Sequence, residues 1–193
     1  MTMNEEPIAA GKSSFSLLDR QRLKDALGPL EGLVILDAAC GSGNYTLALA
    51  RWTGLHSRIY AVDLWEKGVF DLRKRIEDAG LTNIQALVAD LSQGTTLAPE
   101  SVDLCLAATV LHDLAVEGNA EGMLEALART LKPGGRLAVV EFEKVSGPPG
   151  PPEEIRLSPE ELTEMVRPFG FTLQETRSVG ELLYLAVFSR QAD

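Results

Sequence analysis

Three aspartates stand where short apolar segments of the sequence end, and the first of them is followed by a glycine-containing turn. These aspartates are Asp37, Asp63 and Asp90, and the turn carries Gly41 and Gly43. Glycine allows a sharp turn and a close approach of the backbone to a ligand, and the helix N-terminus that follows offers free N–H groups to negative charge. The aspartates offer carboxylates to cationic and hydroxyl groups. The combination predicts a site for a small-molecule cofactor.

The same residues restrict the kind of cofactor. A dinucleotide fingerprint requires glycine or alanine three positions after Gly43, where this sequence has Thr46. The carboxylate of Asp37 would repel a pyrophosphate but suits an ammonium, held directly or through water. S-adenosylmethionine has that ammonium and a carboxylate for the loop N–H groups. Asp63 is placed to accept its two ribose hydroxyls, and Asp90 its adenine amino group.

A parallel sheet is predicted to position these side chains, because nearly continuous apolar runs alternate with helix-like segments. The predicted strands span Leu33–Asp37, Arg58–Asp63, Ile84–Ala89, Val102–Ala107 and Arg136–Phe142. The predicted helices span Phe15–Leu27, Tyr45–Trp52, Trp65–Ala79 and Ala120–Leu131. The breaker Lys132–Gly135 is interpreted as a turn. The pattern indicates a doubly wound α/β domain.

The C-terminal part follows a different pattern. After the proline-rich stretch Gly147–Pro152, Ser158 is predicted to cap a helix that runs to about Pro168. Phe171–Arg177 and Leu182–Ser189 are predicted to form two antiparallel strands. The domain prediction is therefore a tail and helix over residues 1–30, followed by one domain over residues 31–190.

Composition narrows the classes of partner. The chain has 193 residues with 18 Lys plus Arg and 28 Asp plus Glu, a net charge of −10. This acidity disfavours nucleic acids and anionic membranes, because both bind proteins largely through Lys and Arg. Cys40 and Cys105 lack metal-ligand spacing, so neither a disulfide framework nor a metal site is predicted. Without a secretory signal at residues 1–11 or an apolar run of ~20 residues, a cytoplasmic location is expected.

In their order and spacing, the motifs resemble those of the class I S-adenosylmethionine-dependent methyltransferases, in particular the small-molecule group similar to ubiquinone/menaquinone biosynthesis enzymes. The matching segments are 35–43, 59–64, 88–91, 101–104 and 131–137, with Ala39 where the family has its first glycine. The resemblance implies a Rossmann-like seven-stranded, mainly parallel sheet of order 3-2-1-4-5-7-6 with the last strand antiparallel. The residues it implies at the cofactor are Asp37, Ala39, Gly41, Gly43, Asp63, Leu64, Asp90, Leu91, Ala107 and Ala108.

The reacting group is expected in the segment after the fourth predicted strand, residues 107–114, which lines the methyl-donor end in the family. His112 titrates in a useful range and could take a proton from an acceptor hydroxyl or amine, or it could simply pack the turn. Glu141 could orient the substrate or form a structural ion pair. The connection Glu143–Arg156 is either a lid, with Arg156 available to an anionic substrate group, or a surface insertion.

The sequence thus predicts an S-adenosylmethionine-dependent methyltransferase that acts on a small-molecule acceptor, without a nucleic acid or membrane partner. Such a transfer needs chiefly positioning and exclusion of water, so no metal is required. Two alternatives stay open. A non-catalytic S-adenosylmethionine-binding protein would have the same cofactor site, and an NAD-dependent oxidoreductase is opposed by Thr46 and Asp37.

Overall fold

The computed structural model describes residues 10–191, so the first nine residues of the predicted N-terminal tail lie outside the described part. The strands are β1 (Val34–Ala38), β2 (Arg58–Asp63), β3 (Ile84–Val88), β4 (Val102–Ala108), β5 (Leu131–Phe142), β6 (Phe171–Ser178) and β7 (Leu183–Arg190). The α-helices are α1 (Arg20–Leu27), α2 (Asn44–Thr53), α3 (Glu66–Asp78), α4 (Leu111–Glu117), α5 (Ala120–Thr130) and α6 (Pro159–Val166). Within residues 10–191, no helix combines the length and apolarity needed to cross a membrane.

The strands form one seven-stranded sheet in the order β3-β2-β1-β4-β5-β7-β6. The strands from β1 to β5 pair in parallel, and β7 is antiparallel to both β5 and β6. The predicted fold class, including the strand order and the antiparallel last strand, is confirmed. Strand order reverses between β1 and β4, so the carboxyl ends of these strands form the crevice in which doubly wound sheets bind ligands.

The apolar core lies on both faces of the sheet. Successive residues of one strand enter opposite clusters: Leu36 packs in one and Ile35 in the other, as do Cys105 and Leu104. All four side chains are fully buried. This double burial explains why the strands are continuous apolar runs rather than alternating ones, and it holds the strand ends rigidly in place.

The single helix predicted over Phe15–Leu27 is wrong. The segment forms a 3₁₀ turn, Ser14–Leu17, and then the separate helix α1. The Asp19 carboxylate caps α1 by accepting two backbone N–H groups, and Leu18 forms a bridge with Gly180 at the β6–β7 turn. A side chain that accepts the first helical N–H groups fixes the start of a helix. Asp19 therefore starts α1 after the 3₁₀ turn, as a separate helix.

The turn predicted at Lys132–Gly135 lies inside β5 instead. Val102 of β4 pairs with Leu131, but Leu104 pairs with Arg136, so the four residues between the two pairs form a bulge in the strand. Gly134 in this bulge has φ +74°, a conformation that glycine adopts without strain. The breaker residues therefore interrupt the pairing without ending the strand.

Gly43 is required by close packing beneath the turn after β1. Its φ is +84°, and a Cβ there would lie 2.2 Å from Leu72 Cδ1 on α3. We expect Gly43→Ala to lower the free energy of unfolding by about 3 kcal/mol, through backbone strain and overpacking. The control is Gly32→Ala, because Gly32 has φ +76° with no atom near its Cβ position. In urea unfolding, equal losses for the two variants would contradict the packing role.

Candidate active site

A cavity of about 590 Å³ opens at the carboxyl ends of the central strands. The N-terminal segment Ala10–Leu17 and the proline-rich loop line its other sides. The predicted site residues that line it are Ala39, Gly41, Asp63, Leu64, Asp90, Leu91, Ala108 and His112. The predicted residues Asp37, Gly43 and Ala107 are not among the lining residues. The strand ends thus bring most of the predicted set to one cavity.

Asp63 and Asp90 present carboxylates to this cavity and also hold the local backbone. Asp63 accepts the N–H of Gly41 and of Trp65, each at 2.6 Å. Asp90 Oδ1 accepts the N–H and hydroxyl of Ser92 at 2.9 and 2.6 Å. Burial raises the pKa of Asp63, although its two backbone hydrogen bonds oppose the rise. Oxygen lone pairs on both side chains are left for hydroxyl or amino groups of a ligand.

Asp37 lies behind the cavity wall, with only 1% of its surface exposed. Its carboxylate accepts a 2.5 Å hydrogen bond from the Thr46 hydroxyl on α2. Burial raises the pKa of Asp37 to about 7, against the hydrogen bonds from Thr46 and with support from the charge of Asp63. Thr46, which breaks the dinucleotide fingerprint, is therefore the hydrogen-bond partner of the acid near the end of β1.

His112, which lines the cavity, forms a buried pair with Glu141, which is not among the lining residues. His112 is the second residue of α4, a helix that the sequence analysis did not predict, and Glu141 lies on β5. Glu141 Oε2 lies 2.6 Å from His112 Nδ1, and Oε1 accepts the His112 backbone N–H at 3.3 Å. Nε2 lies 3.5 Å from Asp113 Oδ1. Glu141 is fully buried and His112 is 3% exposed.

The charge around His112 favours the protonated imidazole. Burial lowers its pKa, but the hydrogen bond and charge of Glu141, together with the charge of Asp113, outweigh burial and raise the pKa of His112 above its ordinary value. The Arg156 guanidinium opposes this rise. A carboxylate on Nδ1 fixes the tautomer and orientation of the ring, as in His-based proton transfer sites.

The prediction that Arg156 is available to an anionic substrate group is wrong. Arg156 is 1% exposed, and its guanidinium lies 5.4 Å from the Phe142 ring centroid. It donates hydrogen bonds to the backbone carbonyls of Glu143, Gly147, Pro149 and Pro151. The Glu143 carbonyl also accepts the Val145 N–H, whereas the other three carbonyls have no backbone donor among the described residues. One buried guanidinium therefore satisfies them and orders the loop.

Three hydroxyls at the cavity form a cluster that the sequence analysis missed. Ser14 Oγ lies 2.8 Å from the Tyr45 hydroxyl and 3.0 Å from Thr109 Oγ1. Thr109 has φ +51°, an uncommon conformation for a β-branched residue. The cluster joins the N-terminal segment to α2 and to the turn after β4. The glycine turn before Tyr45 and the expected reacting segment 107–114 indicated the positions of Tyr45 and Thr109, but nothing marked Ser14.

The cavity also contains groups suited to a cofactor with an aromatic base. Trp65 lines it, and its Nε1 is buried without a hydrogen-bond partner among the described residues. An unpartnered buried donor is unfavourable by about 1–3 kcal/mol, so a ligand acceptor there would be stabilising. Gly41 has φ +54° and no atom within 4 Å of its Cβ position, which leaves room for a ligand against the backbone. The described part of the chain holds no group of three or more His, Cys, Asp or Glu side chains placed for a metal ion.

Curated relatives match the central part of the chain. The ubiquinone/menaquinone biosynthesis C-methyltransferase UbiE of Hydrogenovibrio crunogenus is 33% identical over 117 residues, 61% of this chain and 45% of that protein. The UbiE protein of Photorhabdus laumondii is 31% identical over 120 residues, 62% of this chain and 47% of that protein. The chain thus spans about half the length of the curated relatives it matches.

Solved structures match almost the whole chain. A SAM-dependent methyltransferase from Aquifex aeolicus has a TM-score of 0.84 and 25% identity, and covers 97% of this chain and 100% of its own. The [4+2]-cyclase SpnF has a TM-score of 0.74 and 18% identity over 89% of this chain and 82% of its own, a likeness of fold alone. A family model described as a methyltransferase domain matches residues 35–135, just over half of the chain. The chain therefore belongs to the methyltransferase domain family, which confirms the resemblance to class I methyltransferases drawn from its motifs.

Proposed function

We propose that this chain is an S-adenosylmethionine-dependent methyltransferase that acts on a small, uncharged acceptor. The observation that carries the proposal is the cavity itself, which joins the acidic strand ends to the buried His112–Glu141 pair. The likeness in fold to the cyclase SpnF means that the fold alone does not decide the reaction. The site chemistry must do so.

The cavity residues fit the cofactor. Asp63 would accept the ribose hydroxyls, and Asp90 the adenine amino group, with Leu91 and Trp65 beside the ring. Asp37 would compensate the ammonium from behind the wall, because a buried carboxylate is stabilised by a nearby cation. When bound, S-adenosylmethionine supplies a sulfonium methyl group that an acceptor nucleophile can take.

His112 is the proposed general base. With Nδ1–H donating a hydrogen bond to the Glu141 carboxylate, the neutral ring has its lone pair on Nε2. The acceptor hydroxyl would give its proton to Nε2 as its oxygen bonds to the methyl carbon, and the imidazolium that forms is stabilised by Glu141. The burial of both groups excludes water, which strengthens their interaction.

The charges and apolar groups around the cavity indicate the acceptor class. Besides the strand-end acids, Asp113 and Glu117 line the cavity. Among the described lining residues, Lys12 is the single lysine or arginine. An anionic acceptor would be repelled. The apolar lining includes Leu17, Val110, Leu114, Met123 and Phe142. This lining favours a flat, largely apolar acceptor such as a phenol or hydroquinone, consistent with the quinone biosynthesis named for the UbiE relatives.

The experiment that tests the proposal has two stages. Calorimetry with S-adenosylhomocysteine and with NAD should show binding of the first only. A panel of phenols and hydroquinones should then show methylated product by mass spectrometry, with release of S-adenosylhomocysteine. Binding of NAD alone would favour the oxidoreductase, and cofactor binding without turnover across hydroxyl, amine, carbon and thiol acceptors would favour the non-catalytic alternative.

Asp63→Asn should weaken S-adenosylhomocysteine binding by roughly tenfold to a hundredfold, because it removes a charged acceptor of hydrogen bonds from the ribose position. The control is Asp103→Asn. Asp103 lies near the start of β4, where it accepts the Val34 N–H and pairs with Lys132 away from the cavity. Calorimetry on both variants measures the effect. Equal affinities in the two variants would contradict the role of Asp63.

A further inference from the structure

Three arginines from three separate helices line a second cleft, on the outer side of α2. They are Arg20 of α1, Arg51 of α2 and Arg75 of α3, and the cleft has a volume of about 300 Å³. Its other lining residues are Ser13, Phe15, Ser16, Asn44 and Leu47. No carboxylate is among these lining residues, although the chain as a whole has a net charge of −10.

The charges of these arginines are not neutralised by carboxylates within the part of the chain that the structure describes. Arg20 lies over the Phe15 ring at 4.9 Å from its centroid. Arg75 donates only to the neutral oxygens Ser42 O, at 2.6 Å, and Asn44 Oδ1, at 3.2 Å. The Arg51 guanidinium has no hydrogen bond or ion pair to any described residue. By contrast, Arg22, Arg167 and Arg177 each pair with an acid on their own helix or strand or at its cap.

We propose that this cleft is a binding site for a phosphate-type oxyanion. All three arginines are exposed, and an anion bound between them would relieve the repulsion of their like charges. Arginine presents a planar set of N–H donors that matches phosphate oxygens, and the hydroxyls of Ser13 and Ser16 can donate further hydrogen bonds. Three positive charges and several donors suit a multiply charged phosphate better than a single carboxylate.

The cleft adjoins the cofactor cavity. Ser13 and Asn44 line both, and Arg75 binds the carbonyl of Ser42 in the glycine turn. We assign the oxyanion to a free phosphate compound, since the acidic and apolar lining of the cofactor cavity disfavours an anionic acceptor. The site does not depend on the proposed function, because the anion would bind whether or not methyl transfer occurs.

Calorimetric titration with inorganic pyrophosphate at low salt tests the site. We expect binding by the wild-type chain and a loss of roughly tenfold in affinity for each arginine removed, so that R20Q/R51Q/R75Q no longer binds measurably. The matched control R22Q/R167Q/R177Q removes the same charge from exposed positions and should retain wild-type affinity. Repeating the titration with S-adenosylhomocysteine present tests whether the two sites are coupled. A changed affinity indicates an effector coupled to the cofactor, and an unchanged affinity indicates an independent anion site.

Four results would overturn the proposal: no binding by the wild type, equal losses in the two triple variants, tighter binding of citrate than of pyrophosphate, or loss of S-adenosylhomocysteine binding by a folded R20Q/R51Q/R75Q variant. The last would make the cleft part of the cofactor site. Amide NMR spectra verify folding. If the triple variant unfolds, Arg51→Gln replaces it, because Arg51 has no partner in the described structure whose loss would unfold the chain.

Discussion

Replacement of His112 by alanine is expected to lower kcat by roughly 10²–10⁴-fold, the usual contribution of a positioned general base. The affinity for S-adenosylhomocysteine should stay near the wild-type value, because Asp63 and Asp90 lie on other strand ends. Single-turnover assays with an acceptor from the phenol panel measure the chemical step. A variant with unchanged kcat would show that the acceptor needs no base and that His112 only packs the turn.

Glu141→Gln tests whether the carboxylate controls His112. In the wild type, burial lowers the pKa of His112, but the hydrogen bond and charge of Glu141 and the charge of Asp113 raise it overall, against the charge of Arg156. Without the Glu141 charge, burial should prevail and the pKa of His112 should fall. The base is active when neutral, so the acid limb of kcat/KM should move to lower pH while the plateau falls.

NMR titration of the His112 ring provides a readout of this pair that needs no acceptor. The midpoint should lie above the ordinary value in the wild type and drop in Glu141→Gln. Asp113→Asn is the comparison variant, since its carboxylate lies 3.5 Å from Nε2 while Glu141 lies 2.6 Å from Nδ1. A larger drop in Asp113→Asn than in Glu141→Gln would contradict the assignment of Glu141 as the positioning residue.

The parts of the site that the sequence predicts are those set by one strand and the turn after it. Asp63 and Asp90 end apolar runs, and parallel pairing necessarily brings such ends to one edge of the sheet. Local signals also sufficed for the predicted cap at Ser158, which the structure shows as a capping box with Glu161. In each case the determining interactions lie within a few residues of one another.

The missing parts depend on contacts between distant segments. The His112–Glu141 pair joins β5 to a helix of seven residues that is too short for a clear apolar period. An arginine in a loop is usually exposed and able to bind a substrate, yet Arg156 is buried because it donates hydrogen bonds to loop carbonyls. Ser14 contacts Tyr45 and Thr109 only because Leu18 and Asp19 attach the N-terminal segment to the β6–β7 turn. No local pattern encodes such juxtapositions.

Ionisation of Asp37 is expected to lower the free energy of unfolding of the wild type by about 4 kcal/mol as pH rises, and Asp37→Asn should abolish this decrease. Burial raises the pKa of Asp37 to about 7 in the folded chain, from 3.8 when unperturbed. Between these values the folded state keeps a proton that the unfolded state has lost, so stability falls as pH rises, by about 1.4 kcal/mol per pH unit. The decline begins near the unfolded pKa and is complete above the folded pKa. Asparagine cannot ionise, so the variant lacks this contribution.

The measurement is the difference in unfolding free energy between Asp37→Asn and the wild type from pH 4 to pH 8, by urea titration. Taking the difference cancels the other titrating groups, and it should rise with pH in favour of the variant. Asp78→Asn, which removes an exposed carboxylate, controls for the loss of one charge. A difference that stays constant with pH would contradict a raised pKa of Asp37.

The same substitution separates a ligand role for Asp37 from a structural one. A carboxylate present only to bind Thr46 would lower stability when replaced, and would leave cofactor affinity unchanged. A carboxylate present for a cationic ligand is unfavourable in the empty protein and favourable in the complex. We therefore expect Asp37→Asn to be more stable than the wild type above pH 7 and to bind S-adenosylhomocysteine more weakly. Opposite signs in the two measurements would support a ligand role for the buried charge, and equal signs would contradict it.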